Sequence, residues 1–163
     1  MRKAVLILDN IRSVENTGSI FRTADCLGVS KIYLVGTTPC PVDRFERKRK
    51  DFAKVALGAE ESVSWEYVKN IKDQISNLKS EGFKIIALEQ HPDAIHLTPD
   101  PSPKLGEGRE ERSFALIVGN EVEGVSQEAL DLSDEIVEIP MQGTKESLNV
   151  SVATGIALFS LSA

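Results

Sequence analysis

Three stretches of the chain place chemically capable side chains next to backbone that can hold a ligand. The first runs from Asn10 to Gly28: Asn16 and Thr17 make an N-cap, and Gly28 stands where a C′ glycine ends a helix. Arg22 then falls about one turn in, on the same edge as Asn16 and Gly18. An arginine beside a helix-start loop suits an anion or substrate contact, against the ordinary alternative of a solvated surface cation. The second stretch is Gly119-Asn-Glu-Val-Glu-Gly-Val125, whose two glycines let backbone approach a ligand closely. It has neither the Gly-x-Gly-x-x-Gly spacing of a dinucleotide fingerprint nor the lysine of a nucleotide-triphosphate loop, so the usual phosphate readings fail. The third is the polar loop 142–147, just ahead of a helix that enters near Asn149. Unpaired N–H groups and the positive end of the helix dipole favour acceptors and anions there, and Asn149 or Ser147 can cap the helix.

The elements that must position these stretches alternate. Runs rich in Val, Ile and Leu at 4–8, 31–35, 84–88, 114–118 and 135–139 lack polar alternation, as strands of a parallel sheet covered on both faces do. Helical patterns at 20–27, 68–79, 127–132 and beyond Asn149 separate them, which predicts an α/β layer fold. In the last helix, Val150, Val152, Ala153, Ile156, Ala157 and Leu161 follow helical spacing and predict one buried face. The stretch 93–112, with Pro99, Pro101, Pro103, Gly106 and Gly108, reads as a long surface loop, and His91 and His96 as solvated loop residues. The turn 119–125 then sits at the carboxyl end of a strand, where ligands of α/β sheets commonly bind.

With 163 residues, 41% of them hydrophobic, the expectation is one domain over residues 1–163, and no low-complexity tail or linker marks a second. No apolar run approaches the roughly 20 residues of a membrane span, and Met1-Arg-Lys leads straight into a strand, so a cytoplasmic location is expected. Cys26 and Cys40 read as free thiols, and no metal-ligand spacing is present. The formal charge of −6 argues against a protein that coats nucleic acid, yet residues 44–54 hold six basic and two acidic side chains. Arg44, Arg47, Lys48, Arg49, Lys50 and Lys54, with Phe45 and Phe52 interleaved, are either a solvated face or a surface that tracks RNA phosphates.

Together the three stretches resemble the three motifs of the SpoU class of RNA ribose 2′-O-methyltransferases in the SPOUT superfamily. Asn16-Thr-Gly-Ser-Ile-Phe-Arg22-Thr-Ala is similar to motif one, Ile117-Val-Gly-Asn-Glu-Val-Glu-Gly-Val-Ser126 to motif two, and Ile139-Pro-Met-Gln-Gly-Thr-Lys-Glu-Ser-Leu-Asn-Val-Ser-Val-Ala153 to motif three. The resemblance implies a SPOUT fold, a mostly parallel sheet flanked by helices, with a deep trefoil knot in its C-terminal part. It further implies a homodimer through the knot region, and S-adenosylmethionine held by the loops after Leu88, after Val118 and from Pro140 to Leu148. Gly119, Ile139 and Leu148 carry over as cofactor-binding positions, with Leu88, Glu89, Met141 and Ser147 as further lining.

The reaction so implied is attack of a ribose hydroxyl on a sulfonium methyl, and an alcohol is a poor nucleophile at neutral pH. The family pattern makes Arg22 the catalytic arginine, with Asn16, Glu121, Ser147 and Asn149 around it. A guanidinium with a pKa above ~12 is a poor general base, so positioning an RNA phosphate and stabilising the emerging oxyanion is its easier task. Glu121 then either accepts the proton or serves as a cap or a partner of Arg22, and Asn149 either orients a ribose hydroxyl or caps its helix. Competing readings are a SPOUT enzyme that methylates an RNA base and a non-catalytic RNA-binding protein with a degenerate cofactor site. The target, tRNA or rRNA, is not written in the sequence.

Overall fold

The structure is a computed structural model that describes residues 2–99 and 112–162. Most of the expected loop 93–112 lies outside the described residues. Seven strands form one sheet: β1 (Ala4–Asp9), β2 (Lys31–Val35), β3 (Trp65–Val68), β4 (Lys84–Leu88), β5 (Ile95–His96), β6 (Phe114–Gly119) and β7 (Glu135–Glu138). Their order is β3-β2-β1-β6-β4-β7-β5, and every pairing is parallel. The six helices among the described residues are α1 (Val14–Cys26), α2 (Lys50–Ala56), α3 (Ala59–Ser62), α4 (Ile71–Ser80), α5 (Gln127–Leu132) and α6 (Val150–Ser162).

Alternate side chains of the central strands feed two separate cores, as the period of two requires. Leu6 and Leu8 of β1 and Leu116 of β6 join Phe21, Phe52 and Leu158 beneath α1, α2 and α6. Val5, Ile7, Ala115 and Ile117 join Ile75, Leu78 and Ala129 beneath α4 and α5 on the other face. The result is three layers, helix on sheet on helix. Gly18 lets α1 and α2 approach closely, since a Cβ there would stand 2.9 Å from Val55 Cβ.

Several boundaries differ from those the sequence predicts. Helix α1 begins at Val14, and its cap is Ser13, whose side chain accepts from the Asn16 amide, rather than Asn16 or Thr17. Arg22 therefore lies about two turns in, not one, and Asn16 sits on a different edge of the helix. Val68 ends β3 instead of starting a helix; α4 starts at Ile71 behind the cap Asn70. The short α2 and α3 and the edge strands β3 and β5 were not anticipated. His96 belongs to β5, where Nε2 lies 2.6 Å from Glu138 Oε1, so it is not a loop residue. In α6 the buried stripe is Thr154, Ala157, Leu158 and Leu161, while Val152 and Ile156 are exposed. No helix of the described residues is long and apolar enough to cross a membrane.

Candidate active site

The carboxyl ends of three adjacent strands, β6, β4 and β7, open onto one cavity, and the turn after β6 forms its floor. This turn closes on itself: the Asn120 amide donates to Gly124 O at 3.0 Å and the Gly124 amide returns the bond at 2.9 Å. The Asn120 side chain fixes the interior, accepting from the amides of Val122 and Glu123 at 2.8 and 2.9 Å and donating to Asn10 O at 2.8 Å. Gly119 cannot carry a side chain, because a Cβ there would fall 2.2 Å from the Gly124 carbonyl carbon. Gly124 adopts φ +74, which favours glycine.

Two carboxylates hold the exit of that turn. Glu89, just past β4, accepts from the Val125 amide at 2.8 Å, and Asp9, the last residue of β1, accepts from the Ser126 amide at 2.8 Å. Asp9 is only 1% exposed, and a buried polar group needs hydrogen bonds in place of water; the Asn10 side chain supplies another at 3.1 Å. Successive amides leading into α5 are thus pinned from two different strands.

The cavity has a volume of about 310 Å³. Leu88, Glu89, Gly119, Ile139, Met141, Ser147 and Leu148 all line it, so the structure gathers in one wall every residue that the motifs marked for a cofactor. Glu121 lines it too, with Gln90, Asn120, Glu123, Glu138 and Val150, which the sequence reading passed over. Gln90 is the tie between walls: its side-chain amide donates to Glu146 O, joining the loop after β4 to the loop 140–148. Asn120 and Glu123 lie within motif two and Val150 within motif three. Nothing in the sequence marked Gln90.

One side chain from each motif meets beside the cavity. The Asn149 side-chain amide donates to Asn16 Oδ1 at 3.0 Å, and Asn16 Nδ2 donates to Glu121 Oε1 at 3.2 Å. Asn149 Oδ1 accepts from the Ser151 amide at 2.9 Å, so Asn149 also caps α6. Glu121 accepts in addition from the backbone amides of Arg12 and Ser13, both at 3.1 Å, covering the start of α1. Burial works against its charge, but its own amide, Asn16, Arg12 and Ser13 outweigh that and hold the carboxyl below its usual range. At neutral pH Glu121 is an ionised acceptor, already engaged, and a weak base. No bond joins it to Arg22 among the described residues. Arg22 is exposed on the outer side of α1, outside the cavity of its own chain.

The basic segment divides into two parts. Lys50 and Lys54 lie on α2, whereas Arg44, Arg47, Lys48 and Arg49 belong to the loop before it. Arg47 pairs with Asp43 at 2.8 Å, Lys48 with Glu61 at 2.7 Å and Arg49 with Asp51 at 2.7 Å. Phe52 is not part of any exposed surface; it is buried against Phe21, ring centroids 5.1 Å apart and edge to face.

Motifs two and three and the loop after β4 wall the cavity, with a glycine turn for its floor, and Asn16 of motif one meets them beside it. A profile of the SpoU rRNA methylase family matches residues 3–159. The chain belongs to this family. Among SpoU relatives, a tRNA (guanosine(18)-2′-O)-methyltransferase of Aquifex aeolicus (strain VF5) is 31% identical over 155 residues, 95% of this chain and 66% of the relative. The 23S rRNA (guanosine-2′-O-)-methyltransferase RlmB of Salmonella typhi is 35% identical over 159 residues, 97% of this chain and 59% of the relative. The chain therefore spans less than two thirds of the length of either. Among solved structures, an AdoMet-bound rRNA methyltransferase from Sinorhizobium meliloti superposes with a TM-score of 0.81 at 26% identity, covering 97% of this chain and 55% of that one.

Proposed function

We propose that this chain is the catalytic unit of an S-adenosylmethionine-dependent RNA methyltransferase that modifies a ribose 2′-hydroxyl of tRNA or rRNA. The observation that carries this reading is the Asn149–Asn16–Glu121 junction, where three distant motifs meet by hydrogen bonds at 3.0 and 3.2 Å. The cavity fits the donor. Leu88, Ile139 and Leu148 offer apolar wall, strand-end and turn backbone offers amides and carbonyls, and Glu121, Glu123 and Glu138 offer negative charge toward a cationic ligand. When bound, S-adenosylmethionine supplies an electrophilic methyl on a sulfonium.

The chain's own residues supply orientation and charge. Asn16 and Asn149 hold each other's amides in fixed rotamers, so polar groups at the cavity rim are set before a ribose arrives. Glu121 stays ionised and closes the start of α1, which leaves it a positioning residue. Arg22 binds an RNA phosphate and stabilises charge developing on the ribose oxygen. Ser147 lines the cavity beside them.

A homodimer belongs to the same proposal. Val152, Ile156 and Phe159 form a second apolar stripe on α6, opposite the buried one, and are 51%, 41% and 70% exposed. Gly155, next to this stripe on α6, faces the side chain of Thr23, the chain neighbour of the exposed Arg22. A partner covering the stripe can bring its cavity to Arg22, and we place the arginine in the partner's site. Support for a trefoil knot is the sheet order, with β6 between β1 and β4, β7 beyond β4, and α6 returning to pack on α1. The proposed location is the cytoplasm.

The test is transfer of labelled methyl to tRNA and rRNA followed by nuclease digestion. Label in nuclease-resistant 2′-O-methylated dinucleotides is expected; label on bases would replace ribose with base methylation. Arg22→Ala should cut transfer by about 100-fold or more, as loss of a transition-state charge contact does. Donor affinity by calorimetry should hold. Substantial turnover by that variant would remove Arg22 from the mechanism.

A further inference from the structure

Residues 41–49 leave the carboxyl end of the sheet beyond β2, at the same end as the cavity, and fold into a tight hairpin. Val42 and Lys48 bridge antiparallel, the Asp43 amide donates to Arg47 O at 2.9 Å, and the Arg49 amide donates to Pro41 O at 3.0 Å. Inside the hairpin Asp43 acts as a clasp. Its Oδ1 accepts from the amides of Phe45 and Arg47 at 2.8 and 3.0 Å, and its Oδ2 accepts from Arg47 Nε at 2.8 Å. Glu46 is held at φ +60, a conformation that side chains other than glycine seldom adopt.

All of this fixes the backbone around one residue, Phe45, whose ring is 61% exposed. It is no overflow from the core, because the second phenylalanine of the segment, Phe52, fills that place. Two guanidinium groups flank the ring instead, Arg44 at 4.7 Å and Arg47 at 5.0 Å from its centroid. Arg44 forms no ion pair among the described residues. An exposed aromatic ring on a pinned backbone, with two guanidinium groups over it, has the chemistry of a base-stacking site: bases stack on aromatic and guanidinium planes, and the same guanidinium groups reach adjacent phosphates. The segment is basic in an acidic chain, which favours a polyanion over an apolar partner.

We propose that Phe45 is a stacking platform for one unpaired nucleobase of the RNA substrate, with Arg44 and Arg47 engaging the flanking phosphates. The proposal rests on the RNA-methyltransferase reading above and adds the residue that grips the substrate outside the cavity. Lys48 and Arg49, paired with Glu61 and Asp51 at the hairpin base, serve the hairpin's shape.

The experiment measures binding of a short single-stranded oligoadenylate and of a blunt RNA duplex of equal length. Phe45→Ala and Phe45→Leu should each weaken the single strand about tenfold, the loss expected on removing one base–aromatic stack, and Phe45→Tyr should restore it. In a Trp65→Phe background, Phe45→Trp should be quenched by the single strand and not by the duplex. Since Phe45 is exposed, the Ala, Leu and Tyr variants should unfold at the wild-type temperature and bind the methyl donor as wild type does. Leucine matching phenylalanine in affinity, or tryptophan emission unmoved by bound single strand, overturns the platform. So does equal affinity for a polyglutamate peptide, which would make the hairpin an acidic-protein docking site. If wild type transfers methyl to RNA and Phe45→Ala does so with unchanged affinity and rate, only the platform falls. If wild type binds neither donor nor RNA, the parent reading falls with it.

Discussion

Among single residues, Glu121 shows how partners decide a role that residue type leaves open. The sequence allows it to be a base, a cap or a partner of Arg22; three hydrogen bonds to Arg12, Ser13 and Asn16 make it a cap. Its carboxyl is held below the ordinary 4.5, so the stability it contributes is fully present above that pH and is lost as pH falls through the lower folded value. Glu121→Gln should therefore lower the unfolding free energy at neutral pH by about 1 kcal/mol, the usual worth of a helix-start acceptor. Urea midpoints of the two proteins should converge as pH drops below 4.5. A gap that stays constant to low pH would assign the loss to packing instead of charge. The cavity wall was legible from motif positions because it is built largely of backbone at strand ends, whose place in the chain the motifs fix. Asp9, Gln90 and Ser13 were not, because each acts through a partner that only folding brings near; Asp9 and Ser126 are 117 residues apart. Phe45 and Phe52 look alike in the sequence, and burial alone separates a surface ring from a core ring.

At the scale of elements, the turn after β6 is rigid because two strands hold its exit. Glu89→Ala would leave the Val125 amide without its acceptor and remove one of the two clasps, while Asp9 keeps the other. The expected cost is about 1–3 kcal/mol in stability, with weaker binding of S-adenosylmethionine and little change in RNA affinity. Thermal unfolding and calorimetry with each ligand check this; a donor affinity equal to wild type would mean that the turn keeps its shape without Glu89. The same scale explains what the sequence could say about the fold. The five inner and near-inner strands were readable because helices cover both faces and leave unbroken apolar runs. Strand β3 lies at one edge with two of its four residues exposed, and β5 is two residues long, so neither carries a pattern. Helices α2 and α3 are seven and four residues long and break at Leu57 and Gly58, both with positive φ. The basic side chains of α2 hid a helix whose buried residues are Phe52 and Ala56.

For the whole molecule, the proposed dimer would account at once for the separation of Arg22 from its own cavity and for the exposed stripe on α6. In an isologous dimer each protomer offers the same surface, so an arginine that leaves its own site enters the other site twice over. Phe159→Glu places a charge at the C-terminal end of the stripe without disturbing the buried residues of α6, because Phe159 is 70% exposed. This variant should sediment as a monomer, keep its fold by circular dichroism and lose methyl transfer. Mixing distinguishes the arrangement of the arginine. Arg22→Ala lacks the charge but keeps the cavity, and Met141→Trp keeps the charge but crowds the cavity it lines. Each should be inactive alone. If the arginine works across the interface, refolding them together in equal amounts should restore about a quarter of wild-type activity, since about half of the dimers are mixed and each holds one complete site. An arginine acting within its own chain predicts no recovery, because in a mixed dimer one protomer would have only the arginine defect and the other only the blocked cavity.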